Sequence, residues 1–443
     1  MSESRIAILG AGMAGLGAAH RLRDAGLNAT IYDKKAYPGG HAASFVHGDF
    51  TFDDGPHVSF TKDKRVQELF AQSVGGRYEI LQTRVDNYWR GHWIKHPAQC
   101  NLHGLPTDLV VDVIRDFVHA QHQPDEPAEA KNYEEWLIHT YGRTFAETFP
   151  MVYGRKYHTA EARDMTIDWL GPRLYRPDLD EVLRGALEST TPDVHYVDHF
   201  RYPTDGGFQA FLKDFIDASL IRLEYEVTSI DPRKKLLQFR DGRKATYDRL
   251  ISSLPLPELI PRLDGAPEDV RAAAESLACT TCVLVNLGID RDDALKSHWC
   301  YFYDEDLVFT RLSSPHRLSP NTVPPGASAI QAEIYYSKKY RPIELSPDAH
   351  IEPVIRDLRK VGLLREDDRL LHQNASLIPY ANIIFDHDRP AALETISAYL
   401  DELGIATCGR YGRWGYHWSD ESFLSGEAAA ASVLDGILDQ RKI

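Results

Sequence analysis

Cysteine and methionine are scarce, positive charge is in deficit, and no apolar run is long. Each shortage removes a class of function. Five cysteines in 443 residues, Cys100, Cys279, Cys282, Cys300 and Cys408, are too few and odd in number for a disulfide-stapled fold and fit a reducing compartment. Cys279 and Cys282 have C-x-x-C spacing, but "CTTCVLVNLGI" reads as a buried strand and not as the helix start that acidifies a thiol. Lys and Arg total 50 against 65 Asp and Glu, a formal net charge of -15. That excludes nucleic acid as a general partner, because phosphate binding needs basic surface. Any anionic ligand must be held by a few local arginines. No apolar segment approaches the ~20 residues of a membrane-crossing helix, so no membrane span is expected. "MSESRIAILGAGMAG" enters a strand pattern without a charged-then-apolar leader, and the protein reads as cytoplasmic. No metal site is expected.

What is present is a hydrophobic share of 43 % over a length that suggests two or three domains of about 150 residues. "RIAILGAGMAGLGAAHRLRDAGLNATIYDKK" has the order strand, glycine turn, amphipathic helix, strand. Gly10, Gly12 and Gly15 supply G-x-G-x-x-G, and Asp33 follows at the end of the second strand, where a ribose hydroxyl is accepted. The glycines let the backbone approach a pyrophosphate at the positive end of the helix dipole. A second close approach is open at Gly39 and Gly40, followed by "FTFDDGPHVSF". "LEYEVTSID", which contains Val227, and "YDRLISSLPL" read as strands returning to the same sheet. "CGRYGRWGYHWSDESFLSGEAAAASVLDGIL" places a glycine-rich strand end, with Arg410 and Gly412, before a small-residue helix near Ser419.

This order of pieces resembles the FAD-binding fold of the amine oxidase and protoporphyrinogen oxidase superfamily. The resemblance implies FAD as the bound dinucleotide, with the last segment over the flavin. The expected class is α/β: a discontinuous Rossmann-like FAD-binding domain (1–99, 196–276 and 381–443) with two insertions. Residues 100–195 carry helical patterns such as "PTDLVVDVIRDFVHA" and form a helical substrate domain. Residues 277–380 alternate strand-like runs with proline-rich turns and form an antiparallel sheet domain roofing the cofactor. "HQPDEPAEA" reads as a solvated linker between helices.

Further stretches narrow the superfamily. "GPHVSF", "IKHPAQCN", "YGRKYHTAEARDMTIDWLGPRL", "FTRLSSPHRLSPN" and "GRYGRWGYHW" resemble the UDP-galactopyranose mutases, more the eukaryotic-type branch than the common bacterial one. The resemblance implies interconversion of pyranose and furanose forms of a nucleotide sugar through a reduced-flavin N5–sugar adduct. A diphosphate then departs inside a closed site, where preorganised cations stabilise the developing charge. On that resemblance Arg173 and Arg311 are the clamp, each with an ion pair to a nearby carboxylate as the plain alternative. His57 stands beside the reactive face of the flavin. Tyr380 and Tyr416 reach the diphosphate, Gln99 lies near the nucleobase, Tyr157 and Trp169 line the substrate pocket, and Arg410 lies near the flavin. Cofactor contacts fall on Gly10, Gly12, Gly15, Asp33, Gly39, Gly40, Val227, Arg410, Gly412 and Ser419.

The match breaks at the substrate. Tyr157 stands where the family carries tryptophan, Leu318 replaces a tyrosine, His96 and Ala98 replace aromatics, and the turn after Tyr416 is shortened to "YHWSDES". These departures leave the sugar and the base open. Besides a nucleotide-sugar mutase with NAD(P)H or another reductant, two readings stand: an FAD-dependent oxidase or dehydrogenase of the amine oxidase class, and a non-enzymatic flavoprotein scaffold. Neither the oligomeric state nor the physiological reductant is legible.

Overall fold

A computed structural model describes residues 4–122, 129–171, 174–192, 194 and 196–440. Arg173 and most of the expected linker His122–Ala130 lie outside the described residues. Strand Ile6–Leu9 (β1), helix Met13–Asp24 (α1) and strand Ala29–Tyr32 (β2) form the expected first unit. Hairpins follow at Ser44–His47 (β3) with Phe50–Asp53 (β4), and at Val85–Trp89 (β5) with His92–Lys95 (β6). Helices Thr107–Gln121 (α2), Tyr133–Tyr141 (α3), Arg143–Thr148 (α4) and Pro150–Tyr157 (α5) fill the segment expected to be helical. The second half adds short strands Ile221–Arg222 (β7), Val227–Asp231 (β8), Leu236–Phe239 (β9), Lys244–Thr246 (β10) and Arg249–Ser252 (β11). Then come Thr280–Ile289 (β12), Trp299–Phe302 (β13), Arg311–Ser313 (β14), Ser328–Ser337 (β15), helix Ile351–Lys360 (α6) and Leu370–Ile378 (β16). Strand Ile405–Thr407 (β17) and helix Ser419–Gln440 (α7) complete the described chain.

All residues of β1 are buried, as a strand covered on both faces must be. It lies at the centre of a parallel five-stranded sheet of order β17-β11-β1-β2-β7. The strand "YDRLISSLPL" joins it as expected. "LEYEVTSID" does not: β8 pairs antiparallel with β9 in a separate three-stranded sheet. The edge position beside β2 is taken by the two-residue β7, a strand too short to show alternation.

α1 and α7 pack backbone to backbone. A Cβ at Gly17 would lie 2.2 Å from the Phe423 carbonyl oxygen, and one at Gly426 would lie 1.9 Å from that of Ala14. This contact draws the start of α7 to the glycine turn.

The larger sheet has seven strands, ordered β16-β12-β15-β14-β13-β5-β6. It is antiparallel except where β13 pairs parallel with β5. Its hairpin β5–β6 comes from the segment assigned to the FAD-binding portion, so strand pairing crosses the boundary drawn at residue 99. Period-two alternation divides its faces. Val283, Val285 and Leu287 pack with Ile330, Ala332 and Ile334 against Val354, Ile355 and Leu358 of α6. The opposite face carries Glu333, Tyr335 and Asn286 toward the nucleotide-binding unit. Of the C-x-x-C pair, Cys282 lies in β12 as expected and Cys279 precedes it in an isolated bridge to Ile383; burial pushes the Cys279 thiol up to about 12 and raises Cys282 well above its ordinary value. Among the described residues no helix is long and apolar enough to cross a membrane.

Buried histidines weaken the fold as the solution turns mildly acidic. Burial pushes His57, His298 and His316 down to about 4 and His158 to about 3, from an ordinary value of 6.5. The unfolded chain therefore takes up protons that the folded chain refuses, and stability falls as pH drops below about 6.5. Asp53, pushed up to about 6 by burial, acts oppositely, losing stability as pH rises from its ordinary 3.8 toward 6. With several imidazoles against one carboxyl, the melting temperature is expected to rise between about pH 4.5 and 6.5. In a pH series of thermal melts, His158→Gln should flatten that rise.

Candidate functional site

A cavity of about 680 Å³ runs from the glycine turn to the polar face of the larger sheet. At its first end α1 starts at Gly12 with no side-chain cap and no acid in the first turn, so its leading N–H groups are left for an anion. Gly40 has φ +62, and a Cβ there would lie 2.8 Å from the Gly12 Cα. Two backbone segments thus meet with room for nothing but hydrogen. Asp33 accepts the Ala11 N–H at 2.7 Å and the Lys35 N–H at 2.8 Å, which fixes its carboxylate at the turn. This cradle fits the pyrophosphate and ribose of a dinucleotide. Gly10, Gly12, Asp33, Gly39 and Gly40 line it; Gly15 acts one layer back, where a Cβ would lie 1.9 Å from the Gly10 carbonyl oxygen.

Midway stand His57 and Arg410. The His57 Nδ1 lies 2.8 Å from the Gly55 carbonyl oxygen. Because burial keeps the ring neutral, with its value near 4, Nδ1 carries the hydrogen and Nε2 keeps a lone pair. Arg410 donates through Nε to the His417 carbonyl at 2.8 Å, and its guanidinium lies 4.8 Å over the Tyr416 ring. It belongs to none of the ion pairs found among the described residues. A cation without a carboxylate, at the edge of a cavity, suits an anionic or electron-rich ligand. Ser419, at the start of α7, lines the same region.

At the far end, β14 and β15 set Arg311 directly opposite Glu333. Arg311 donates through Nε at 2.7 Å and through Nη2 at 2.8 Å, a bidentate fork, and the Tyr335 hydroxyl donates to the same carboxylate at 2.6 Å. Burial opposes the guanidinium charge, but the Glu333 carboxylate more than offsets it and holds Arg311 well above its ordinary value. The fork uses Nε and Nη2; Nη1 enters none of the described hydrogen bonds, and Arg311 lines the cavity. The alternative of an ion pair is therefore realised together with an open cavity. The Tyr157 hydroxyl donates to Asn382 Oδ1 at 3.0 Å, and its ring meets Tyr335 edge-on at 4.9 Å.

Other expected contacts fall elsewhere. Tyr380 lines the cavity, and its phenol is raised by burial and by the nearby Glu258 carboxylate. Gln99 does not reach the cavity, because its amide donates to the Tyr175 carbonyl at 2.9 Å. Trp169 turns into the helical layer, its indole donating to Thr166 at 2.8 Å and its ring stacked on Phe385. Val227 and Gly412 also stand behind the lining: the Val227 carbonyl accepts from Arg262, and Gly412 packs on the Ser252 backbone. Glu333, Tyr335, Tyr301 and Asn382, which line the cavity, were not anticipated. A signal existed for two of them, since alternation along "SAIQAEIYY" puts Glu333 and Tyr335 on one face.

A glycine cradle, a neutral imidazole and an arginine outside the ion pairs found among the described residues lie along one groove, an arrangement that fits a dinucleotide cofactor. The chain belongs to the flavin containing amine oxidoreductase family, which matches residues 13–434. The structure of reduced UDP-galactopyranose mutase matches with a TM-score of 0.90 at 26 % identity, covering 98 % of this chain and 96 % of that one. Cyclohexylamine oxidase from Brevibacterium oxydans IH-35A shares the fold, with a TM-score of 0.68 at 14 % identity over 98 % and 100 % of the two chains. Among curated proteins, 4,4'-diapophytoene desaturase (4,4'-diaponeurosporene-forming) of Staphylococcus aureus strain Newman is 22 % identical over 344 residues, 68 % of this chain. The chain spans 66 % of that relative's length. The chain is thus a UDP-galactopyranose mutase-like flavoenzyme of the amine oxidase superfamily, and its family implies FAD.

The cradle is testable by itself. Gly40→Ala forces a methyl against the Gly12 Cα at a positive φ, so the purified variant should lose most of its 450 nm flavin absorbance while keeping its far-ultraviolet circular dichroism.

Proposed function

We propose that the chain is a flavin-dependent nucleotide-sugar mutase, active with reduced FAD, that interconverts the pyranose and furanose forms of a nucleoside-diphosphate sugar. The observation that supports this most is Arg311, preset by Glu333 at the wall of the cavity that holds the cofactor cradle. A guanidinium fixed through two of its nitrogens presents its remaining donors without further loss of rotamer freedom, and planar donors pair well with phosphate oxygens. FAD held at the glycine cradle would, in its reduced form, supply an electron-rich nucleophile whose electron pair returns to it, so that no reductant would be consumed. Arg311 holds the diphosphate as it leaves and returns. Tyr157 borders the reacting sugar while Tyr380 and Tyr416 reach the diphosphate, and neutral phenols there donate without adding charge. His57, through its Nε2 lone pair, accepts a hydrogen bond from a ligand N–H or O–H. Arg410 stabilises negative charge on the flavin side of the cavity. Arg173 belongs to the same proposal as the second clamp, with NAD(P)H as a candidate reductant.

The desaturase relatives favour a second reading, net oxidation of a small molecule by the same cofactor. The two part on stoichiometry. A mutase reduced with dithionite forms ring isomer over many turnovers with no further reductant, and the oxidised enzyme is inert; an oxidase or desaturase bleaches its flavin once per product.

Arg311→Ala should lower kcat/KM by about 2.7–4 kcal/mol in transition-state terms, the range for loss of one preorganised donor. Because it strands the Glu333 carboxylate, which is 2 % exposed, the variant's melting temperature must be measured beside its activity. Arg311→Lys keeps the charge, loses the fork, and should recover stability more than turnover. Near-wild-type turnover in both would overturn the assignment.

A further inference from the structure

The turn that carries Arg410 and Tyr416 contains a residue in a costly conformation. Trp414 is wholly buried and has φ +48, a left-handed backbone that a bulky side chain rarely adopts. Its indole N–H has no partner among the described residues, so the Trp414 side chain does not hold the turn by hydrogen bonding. Its carbonyl does. Arg389, at the start of helix Arg389–Glu402, donates to that oxygen through Nε at 3.0 Å and through Nη2 at 2.7 Å. The remaining nitrogen, Nη1, donates to the Asp168 carboxylate at 3.2 Å, and the guanidinium lies 4.4 Å over the Phe385 ring. All three nitrogens are thus engaged, on a side chain only 12 % exposed. Strain of this kind persists where the surroundings over-determine it, and it concentrates where a geometry is needed for function.

The neighbours of Trp414 show what the geometry serves. Ahead of it, Gly409 packs on the first turn of α1, where a Cβ would lie 2.8 Å from the Ala14 Cβ, so Arg410 stands beside the cofactor cradle. The two groups that aim Arg410, the His417 carbonyl and the Tyr416 ring, both follow Trp414 in the chain. The Arg410 carbonyl in turn accepts the Gly415 N–H at 3.0 Å. Releasing the Trp414 carbonyl would therefore shift both supports of the Arg410 guanidinium relative to the cradle.

We propose that Arg389 is a positioning residue for the cofactor: by clamping the Trp414 carbonyl it keeps the Arg410 cation aimed at the flavin, and so favours the more negative, reduced form of FAD over the oxidised form. A cation fixed near the ring stabilises whichever redox form carries more negative charge, and a cation free to turn toward water does so less. The inference uses the FAD that the family implies and is independent of the sugar, since a mutase and an oxidase would be tuned by the same contact.

The test compares midpoint potentials of the bound flavin in FAD-loaded wild type, Arg389→Ala, Arg410→Met and the double variant, with circular dichroism recorded on each. Where a variant releases FAD, titrating its apoprotein with oxidised and with reduced FAD gives the same ratio. Arg389→Ala is expected to cut the preference for reduced FAD about tenfold, a midpoint lower by about 30 mV for a two-electron couple. Arg410→Met should lower it at least as far, and the double variant no further than Arg410→Met alone. Arg389→Gln leaves one donor for the carbonyl; it should shift the midpoint less in the same direction, and it carries the same cycle if Arg389→Ala does not fold. A merely structural loss weakens both redox forms alike, so an unchanged midpoint in the Arg389 variants, or in Arg410→Met, overturns the proposal. A double variant whose shift is the sum of the single ones also overturns it, because Arg389 would then act by its own charge and not through Arg410.

Discussion

A carboxylate almost wholly removed from water stays charged only if a cation is locked to it, and the polar end of this cavity is organised by that constraint. Glu333 sits in the middle of an apolar strand, where an isolated negative charge would be intolerable. The register of β14 on β15 brings Arg311 opposite it, and Tyr335 satisfies another lone pair of the same carboxylate. The pair contributes little net stability by the usual balance of desolvation against attraction. What it supplies is direction. A long side chain that would sample many rotamers is held in one at the wall of the cavity. The same carboxylate keeps the guanidinium charged against the desolvation around it.

That arrangement also bears on how an acidic protein would hold the anionic ligand proposed for it. A surface of net charge -15 repels polyanions at long range, so local geometry and not the overall field would have to hold the diphosphate of the proposed substrate. The candidates for holding it differ in kind. Arg311 is neutralised by its partner and fixed; Arg410 is partnered by a carbonyl and an aromatic face and keeps its whole charge. The first suits a group that arrives and leaves, the second a cofactor that stays.

Legibility in the sequence follows the range over which each feature is encoded. The glycine cradle and Asp33 were readable because a tight turn, a helix start and a strand end are local, and their spacing is written in consecutive residues. Sheet membership was less readable: alternation marks β8 as a strand but cannot say which sheet it joins, and β7 is too short to alternate. Trp169 and Gln99 carry the residue types expected of a ligand pocket, yet the Trp169 ring stacks on the distant Phe385 and the Gln99 amide is engaged by the distant Tyr175 carbonyl, and such pairings depend on tertiary packing. Glu333 had a readable sign in the strand's period, but its partner is set by register, which the sequence does not display. Arg173 is outside the described residues, so the cleft is defined from the sheet side.

The backbone contact between α1 and α7 has a consequence for biosynthesis. The nucleotide-binding unit is translated first, yet one flank of its helix is closed only by glycine-to-carbonyl packing from the last helix described. While the ribosome is still adding the intervening segments, the nascent amino-terminal portion has an uncovered seam and an incomplete cofactor cleft. The cleft is therefore complete only once the last described helix, far along the chain from the glycine turn, has packed against the first.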